Sequence, residues 1–178
     1  MDTAHDGFAA EQIDGYAEAL APITQNPIGV VRSDIKEPEY ISWQAVDSEI
    51  VLKPEYGEAL IELRDFSHAI VLFWMHQVCM TKLRHVPQGK ARQVPEVGIF
   101  ACRCPHRPNP IGCTTVRLLE VRDNHIRVRG LDAVDGTPVI DVKPYTPQYD
   151  CVCSDDEQVM RAIAASVRVP AWIARLTY

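Results

Sequence analysis

The chain has 178 residues, 47% of them hydrophobic, and a formal net charge of −6 at pH 7. This length suits one domain whose core needs no disulfide or metal to support it. The longest apolar run, residues 69–75, is far shorter than the ~20 residues of a membrane-spanning helix. The acidic N-terminus lacks the basic and apolar regions of a signal peptide. We therefore expect a cytoplasmic protein without a membrane span, with its six cysteines reduced.

The charge is distributed unevenly along the chain. Residues 82–129 hold ten of the 18 basic residues and only three of the 24 acidic ones, a balance of +7 against −13 for the remainder. Such asymmetry is typical of a protein that turns one face toward a polyanion. Exposed strand faces that carry arginine for solubility explain the same pattern equally well.

Short β-rich stretches dominate the predicted elements. Residues 1–26 are interpreted as an N-terminal extension with a short helix over 9–20, and residues 27–178 as a single domain. Alternating and apolar patterns predict a series of strands. In chain order these are 27–32, 49–53, 68–76, 97–102, 114–121, 125–130 and 139–143.

Helical signals are few. Residues 56–64 favour one or two helical turns, and the polar, basic residues 77–95 are typical of a mobile loop. The best helix is 155–167, because Ser154 can cap it and three acids occupy its first turn. No G-x-G fingerprint, Walker A motif or strand–helix alternation occurs. The fold predicted is mainly β, a single-sheeted antiparallel barrel with a few short helices and a C-terminal helix.

One candidate site lies at residues 103–112, which read RCPHRPNPIG. Pro108 and Pro110 each fix φ and push the residue before them toward extended geometry. Asn109 is thus held between two rigid units, and Gly112 allows the chain to bend away. A preorganised loop of this kind suits a small-ligand site, although a structural turn with solvated arginines is an equally good interpretation.

A second candidate lies at residues 131–145, which read LDAVDGTPVIDVKPY. Asp135 and Gly136 predict a turn. Beyond the turn the side chains alternate, so Asp141 and Lys143 share one face of a strand. A charged pair beside a rigid turn is a candidate site, but a cross-strand salt bridge is as common.

Histidines and cysteines give weaker signals. His68 and His76 end the apolar strand and are more often polar termini than catalysts, whereas His106 in the rigid loop is better placed to face a ligand. Two C-x-C pairs, Cys102/Cys104 and Cys151/Cys153, could hold zinc, yet zinc ribbons favour C-x2-C. We therefore predict buried thiols and no metal site.

Three segments together resemble the YaeB/TsaA-like (TrmO) family. They are residues 63–77 (LRDFSHAIVLFWMHQ), 98–112 (GIFACRCPHRPNPIG) and 131–147 (LDAVDGTPVIDVKPYTP), and their order and spacing match as well. Members are described as S-adenosylmethionine-dependent methyltransferases with a single-sheeted β-barrel. They methylate N6 of threonylcarbamoyladenosine beside the tRNA anticodon and are thought to act as homodimers. Cys102 and Cys104 depart from the family, which usually has Thr and Ser there.

The resemblance implies roles for particular residues. Asp141 is the first choice for general base or sulfonium partner, followed by Asp132 and His76. Four basic residues of the predicted mobile loop would hold phosphates of the anticodon stem-loop; these are Lys82, Arg84, Lys90 and Arg92. The expected cofactor-binding set is Arg103, His106, Arg107, Pro108, Asn109, Pro110, Ile111, Gly112, Leu131, Thr137, Pro138, Lys143 and Tyr145.

Two rival functions fit the residues alone. One is a sensor that binds S-adenosylmethionine without transferring a methyl group, and the other is an RNA-binding β-barrel without a small ligand. Cofactor binding separates the second from the others, and methyl transfer to tRNA separates the first.

Overall fold

A computed structural model describes residues 18–37, 42–90, 92–146 and 150. It confirms the predicted fold class, because six of its eight strands close into an antiparallel barrel and its helices are short 3₁₀ turns. The strands are β1 (Gly29–Arg32), β2 (Asp47–Leu52), β3 (His68–Trp74), β4 (Arg84–His85), β5 (Val97–Gly98), β6 (Ile111–Arg122), β7 (His125–Arg129) and β8 (Pro138–Pro144). The predicted helix at 155–167 and most of that at 9–20 lie outside the described residues.

The barrel order is β1-β2-β7-β6-β3-β8, and pairing of β8 with β1 closes the ring. Strand β6 is long enough to serve two neighbours: its first half pairs with β3 and its second half with β7. The hairpin between β6 and β7 turns at Asp123 and Asn124, where Asp123 adopts a positive φ of 54°. Closure removes the exposed strand edges that an open sheet would present.

Strand alternation fills the barrel interior. Along β3, Ala69, Val71 and Phe73 are buried and the residues between them are half-buried. Val31, Ile50, Ile126, Val128 and Val139 meet them from the other strands, and all five are fully buried. Each such side chain contributes roughly 1.5–3 kcal/mol by leaving water. The period-two pattern therefore fixes which face of each strand points inward.

The predicted strand at 97–102 is wrong beyond its first two residues. Only Val97–Gly98 pair, with Arg84–His85, and a 3₁₀ turn follows at Ile99–Ala101. The cause is Arg107, whose Nη1 donates hydrogen bonds to the carbonyl oxygens of Ile99 at 3.0 Å and Cys102 at 2.7 Å. Both hydrogen bonds stabilise the turn in place of an extended strand.

The basic stretch at 77–95 contains more regular structure than the loop that we predicted. Strand β4 and a 3₁₀ turn at Pro87–Gly89 lie within it. Lys82 N donates to His106 O at 2.9 Å, and Ile99 N donates to Leu83 O at 3.0 Å. The stretch is thus hydrogen-bonded along the segment that leads into β6. Within the described ranges, no helix has the length and apolar character to cross a membrane.

Candidate active site

The two candidate segments meet at one end of the barrel. Met75, just after β3, donates its N–H to Pro110 O at 2.8 Å, so the proline-rich loop is attached to the end of β3. On the other side of β3, Phe73 pairs with Val139 at the start of β8. Strand β3 therefore carries both segments, one on each side of the same end.

Two further loops converge there. Gln77 Nε2 donates to Lys36 O at 3.1 Å, which links the residues after β3 to those after β1. Asp135 Oδ1 accepts the Ser33 N–H at 3.0 Å, and Asp135 Oδ2 lies 2.8 Å from Lys36 Nζ. Loops that are far apart in sequence thus surround a common region of the surface.

A shallow apolar cavity of about 300 Å³ lies beside this region. Trp74, the last residue of β3, lines one side of the cavity, and Pro138 and Ile140 of β8 line another. Ile23, Gln25 and Pro27 of the extension complete the lining. Its walls suit a flat, largely apolar group with a few polar atoms.

The proline-rich loop presents some of its predicted residues and encloses others. Asn109 and Arg103 are exposed, and no described residue hydrogen-bonds to the Asn109 amide group. Pro108 and Ile111 are also exposed, whereas Pro110 is buried. The Asn109 side chain is therefore exposed beside a backbone that two prolines constrain.

Arg107 stabilises the conformation of this loop. Besides its two carbonyl hydrogen bonds, its guanidinium carbon lies 5.6 Å from the centroid of the Phe100 ring.

Gly112 is needed for a reason other than the predicted bend. It lies within β6, and the Phe73 ring occupies the space that a Cβ would fill.

The turn at 131–138 has a buried and an exposed side. Leu131 is fully buried and Thr137 is 2% exposed, so both side chains belong to the interior of the domain. Gly136 has the positive φ of 74° that the predicted turn requires. Asp132 is accessible to solvent, but desolvation by surrounding protein raises the pKa of its carboxyl group. A raised pKa makes this carboxylate a stronger base than an ordinary aspartate.

Asp141 and Lys143 form an ion pair on the outer barrel surface. Lys143 Nζ lies 2.6 Å from Asp141 Oδ2, and the hydrogen bond between them raises the pKa of Lys143. Asp141 pairs with Leu72 of β3, and Leu72 lies on the opposite face of that strand from the buried Val71. The structure therefore gives Asp141 a cationic partner on the strand that leads away from the turn.

Tyr145 is far from the start of β8. Its N–H donates to His68 O at 3.1 Å, and its ring lies 6.3 Å from the His68 ring at the opposite end of β3. Since a strand rises ~3.3 Å per residue, Tyr145 and Pro138 are about 20 Å apart. The structure does not bring Tyr145 together with Asn109 at the loop end.

The remaining histidine candidates lie at the loop end. His76 is exposed just beyond β3. His106 Nδ1 lies 3.3 Å from Met80 O, and its ring lies 5.3 Å from that of His85. Burial, together with the nearby His106 and Lys82, lowers the pKa of His85.

Basic residues surround the same loops. Lys82, Arg84 and Arg92 are exposed, and Lys90 is half-buried. Arg84 Nε lies 3.3 Å from Glu96 Oε2 in an exposed pair, which is worth little in water. The hairpin arginines are more fully compensated by acids, since Arg129 Nε lies 2.6 Å from Asp47.

Cys102 and Cys104 are neighbours in the loop. Cys102 Sγ donates to Ile99 O at 3.5 Å, and burial with the adjacent Cys102 raises the pKa of Cys104 to about 12. Cys151 and Cys153 lie outside the described residues. Among the residues that the structure describes, no group of three or more His, Cys, Asp or Glu could hold a metal ion.

Comparison with known proteins identifies the family. Residues 25–151 match the model of the tRNA-methyltransferase O N-terminal domain, which covers both candidate segments and all six barrel strands. The chain belongs to the TrmO family. A crystal structure of TrmO from Pseudomonas aeruginosa superposes with a TM-score of 0.59 at 32% identity, covering 76% of this chain and 61% of that one.

Curated TrmO relatives carry two kinds of name. An S-adenosyl-L-methionine-binding protein of Archaeoglobus fulgidus is 45% identical, over 71% of this chain and 91% of its own length. A mouse tRNA (adenine(37)-N6)-methyltransferase is 36% identical, over 76% of this chain and 30% of its own length. The chain thus spans less than two thirds of the solved TrmO and about a third of the mouse enzyme.

Two features of this TrmO-family site were not found from the sequence. Trp74 was interpreted only as part of an apolar strand, yet its side chain lines the cavity. Phe100 was placed within a strand, yet it is 78% exposed. A signal for Trp74 existed, because tryptophan is enriched at interfaces and this one ends an apolar strand.

Proposed function

We propose that this TrmO-family protein transfers a methyl group from S-adenosylmethionine to N6 of an adenine in tRNA. The substrate is threonylcarbamoyladenosine next to the anticodon. The observation that carries the proposal is the convergence of residues 103–112 and 131–138 at one end of β3. These segments also carry the resemblance to the family, and the named relatives bind S-adenosylmethionine or methylate tRNA adenine.

The residues at this end fit the cofactor. S-adenosylmethionine has an aromatic adenine, a polar amino-acid end and a sulfonium that supplies an electrophilic methyl group. The apolar cavity beside Trp74 and Pro138 suits the adenine. The exposed Asn109 amide and Arg103 guanidinium are available to the polar end. We call the surface formed by residues 103–112 and 131–138 the cofactor cradle. The buried side chains of Leu131, Thr137 and Pro110 support this cradle from the protein interior.

Three groups are proposed to assist the reaction. The substrate nitrogen loses a proton as it gains the methyl group, so a nearby base accelerates the step by roughly 10²–10⁴-fold. Asp132 has the raised pKa that suits this role, and His76 is exposed at the same barrel end. Asp141 supplies negative charge on the outer surface, where Lys143 positions it. Alignment of the reactants supplies most of the acceleration, about 7–11 kcal/mol.

The anticodon stem-loop binds on the basic side of the site. Lys82, Arg84, Lys90 and Arg92 hold phosphates, as the local excess of positive charge supports. The protein acts in the cytoplasm as a homodimer.

Methyl transfer to purified tRNA tests this function. We expect radiolabelled S-adenosylmethionine to label tRNA that carries threonylcarbamoyladenosine but not tRNA that lacks it, with the product identified by nucleoside mass spectrometry. Asp141→Asn should retain tRNA binding and lose transfer. Cofactor binding without transfer to any tRNA would instead identify a sensor, and RNA binding without cofactor binding would identify an RNA-binding barrel.

A further inference from the structure

The aromatic ring of Phe100 is exposed to solvent beside the proline-rich loop. Phe100 is 78% exposed, although its neighbour Ile99 is 1% exposed and anchors the 3₁₀ turn in the domain. Leu83 is 76% exposed and lies on the adjoining segment, where its carbonyl accepts the Ile99 N–H. Met80, at 53% exposed, lies on the same segment. Exposed apolar side chains thus lie on two segments that a backbone hydrogen bond joins.

The Phe100 ring is held in place by Arg107. Nη1 of Arg107 binds the carbonyls of Ile99 and Cys102, which bracket Phe100 in the chain, and the guanidinium carbon lies 5.6 Å from the ring centroid. The cation is therefore fixed against the ring from within the loop, while most of the ring surface remains open. An exposed ring with its orientation fixed loses little freedom when a flat group stacks on it.

The surroundings of the ring are basic. Residues 67–119 contain seven lysines and arginines and a single acid, Glu96, which pairs with Arg84. In the part of the chain that the structure describes, no carboxylate pairs with Lys82 or Arg103. The ring thus lies among cations that attract a polyanion.

We propose that Phe100 is a stacking platform for an unpaired nucleobase of the RNA substrate. Successive bases of single-stranded nucleic acid stack on aromatic side chains while basic residues follow the backbone. Phe100 supplies the first element, and Lys82, which the proposed function assigns to phosphates, supplies the second. The inference rests on the proposed function, since that function brings an anticodon loop with unpaired bases to this surface.

Charge favours RNA over the other candidates for this surface. S-adenosylmethionine carries a positive sulfonium and amino group against one carboxylate, so the cations around the ring oppose it. A second copy of this chain would bring a matching basic patch to a symmetric contact, and like charges would then face each other. An RNA loop offers both the flat apolar face and the negative charge.

The platform also has a consequence for the reaction. The Arg107 guanidinium binds carbonyls on both sides of Phe100, and Arg107 directly precedes the Pro-Asn-Pro loop that is proposed to bind the cofactor. A base stacked on Phe100 is therefore held by the same guanidinium that positions the cradle. Phe100 acts as a positioning residue that fixes the anticodon loop relative to the reacting adenine.

The test compares an anticodon stem-loop with a fully paired duplex of equal charge, using fluorescence anisotropy. Stacking is worth ~1–3 kcal/mol per base, which corresponds to a loss of about 5- to 150-fold in affinity. We expect Phe100→Ala to weaken stem-loop binding by that factor and to leave duplex binding within about twofold. Phe100→Tyr should bind like the parent, and Phe100→Leu should resemble the alanine variant. Ile61→Ala is the matched control, because Ile61 is 73% exposed near the β6–β7 hairpin.

Kinetics and calorimetry complete the test. Phe100→Ala should raise KM for tRNA more than it lowers kcat, and it should leave S-adenosylmethionine affinity unchanged. Equal losses on stem-loop and duplex, a weaker cofactor affinity or a changed oligomeric mass would each overturn the platform. If the parent binds RNA with this Phe100 dependence but methylates no tRNA, the proposed function fails and the platform remains.

Discussion

The aromatic ring of Phe73 fills the space in front of the Gly112 Cα. The two residues pair directly across β3 and β6, and a Cβ built on Gly112 would overlap the ring. This packing holds the end of the proline-rich loop close to the barrel core, because Gly112 immediately follows Ile111. The RPNPIG string thus ends in glycine to allow close packing.

Replacing this glycine should destabilise the domain. Gly112→Ala forces the Phe73 ring or the strand to move, and overpacking of this kind costs about 1–3 kcal/mol. The free energy of unfolding from urea titration measures the loss. A second change, Phe73→Leu, should recover part of it in the double variant. Stability equal to the parent in Gly112→Ala would show that the ring moves freely. Gly98→Ala is the control, since beyond its chain neighbours no atom lies within 4 Å of the position that its Cβ would take.

Asn109 should contribute directly to cofactor affinity. Its exposed amide has no hydrogen-bond partner among the described residues, so its removal leaves polar groups of S-adenosylmethionine unpaired. Asn109→Ala should weaken cofactor binding by roughly 1–3 kcal/mol in isothermal titration calorimetry, with no change in melting temperature of the free protein. An unchanged dissociation constant would remove the loop from the proposed cradle.

The basic stretch should determine the salt dependence of tRNA binding. We expect Lys82→Ala/Arg84→Ala/Lys90→Ala/Arg92→Ala to bind tRNA more weakly. Its plot of log affinity against log salt should be shallower by about 0.7–0.9 for each phosphate that the variant no longer binds. Cofactor affinity should stay the same.

The hairpin arginines supply the control for that variant. Arg122, Arg127 and Arg129 each lie within 4 Å of a carboxylate, at distances of 3.8, 3.3 and 2.6 Å, and are therefore less available to phosphates. Their replacement by alanine should change the salt slope less. The opposite ranking of the two variants would move the RNA-binding surface to the hairpin.

Stability should depend on pH through Asp135. The hydrogen bond from Lys36, followed by that from the Ser33 N–H, lowers the pKa of Asp135 below its ordinary value. A depressed carboxyl pKa stabilises the fold above the unfolded value of ~3.9, and the contribution is lost as the pH falls through the folded value. Because the side chain is 35% exposed, solvent screening keeps the effect small.

Asp135→Asn provides the measurement. The variant should melt at a lower temperature than the parent at pH 7, and the two curves should converge as the pH falls below about 4. Asp123→Asn is the matched control, because Asp123 is 80% exposed and its pair with Arg122 spans 3.8 Å. A constant difference between Asp135→Asn and the parent at every pH would assign the loss to packing.

The sequence by itself determined most of the barrel strands, and it predicted where the candidate site lies along the chain. Alternation along β3 is a local property, since successive side chains of a strand point to opposite faces, whereas a register shift interrupts the alternation in β8. The predicted strands at 27–32, 68–76 and 139–143 accordingly match β1, β3 and β8 within two residues at each end. The RPNPIG and DGTPV strings carried the resemblance to the family, which the match over residues 25–151 then showed.

Only the tertiary structure decided which of these residues meet. Asn109 and Pro138 converge because β3 lies between β6 and β8, a pairing that no local pattern encodes. The same pairing places Tyr145 at the opposite end of β3, although it lies only seven residues from Pro138 in the sequence. Phe100 lies in an exposed turn whose flanking carbonyls, those of Ile99 and Cys102, accept hydrogen bonds from Arg107. Side-chain hydrogen bonds to carbonyls five and eight residues away stabilise a turn where the apolar pattern favours a strand, so the pattern alone mispredicted the segment leading into the candidate site.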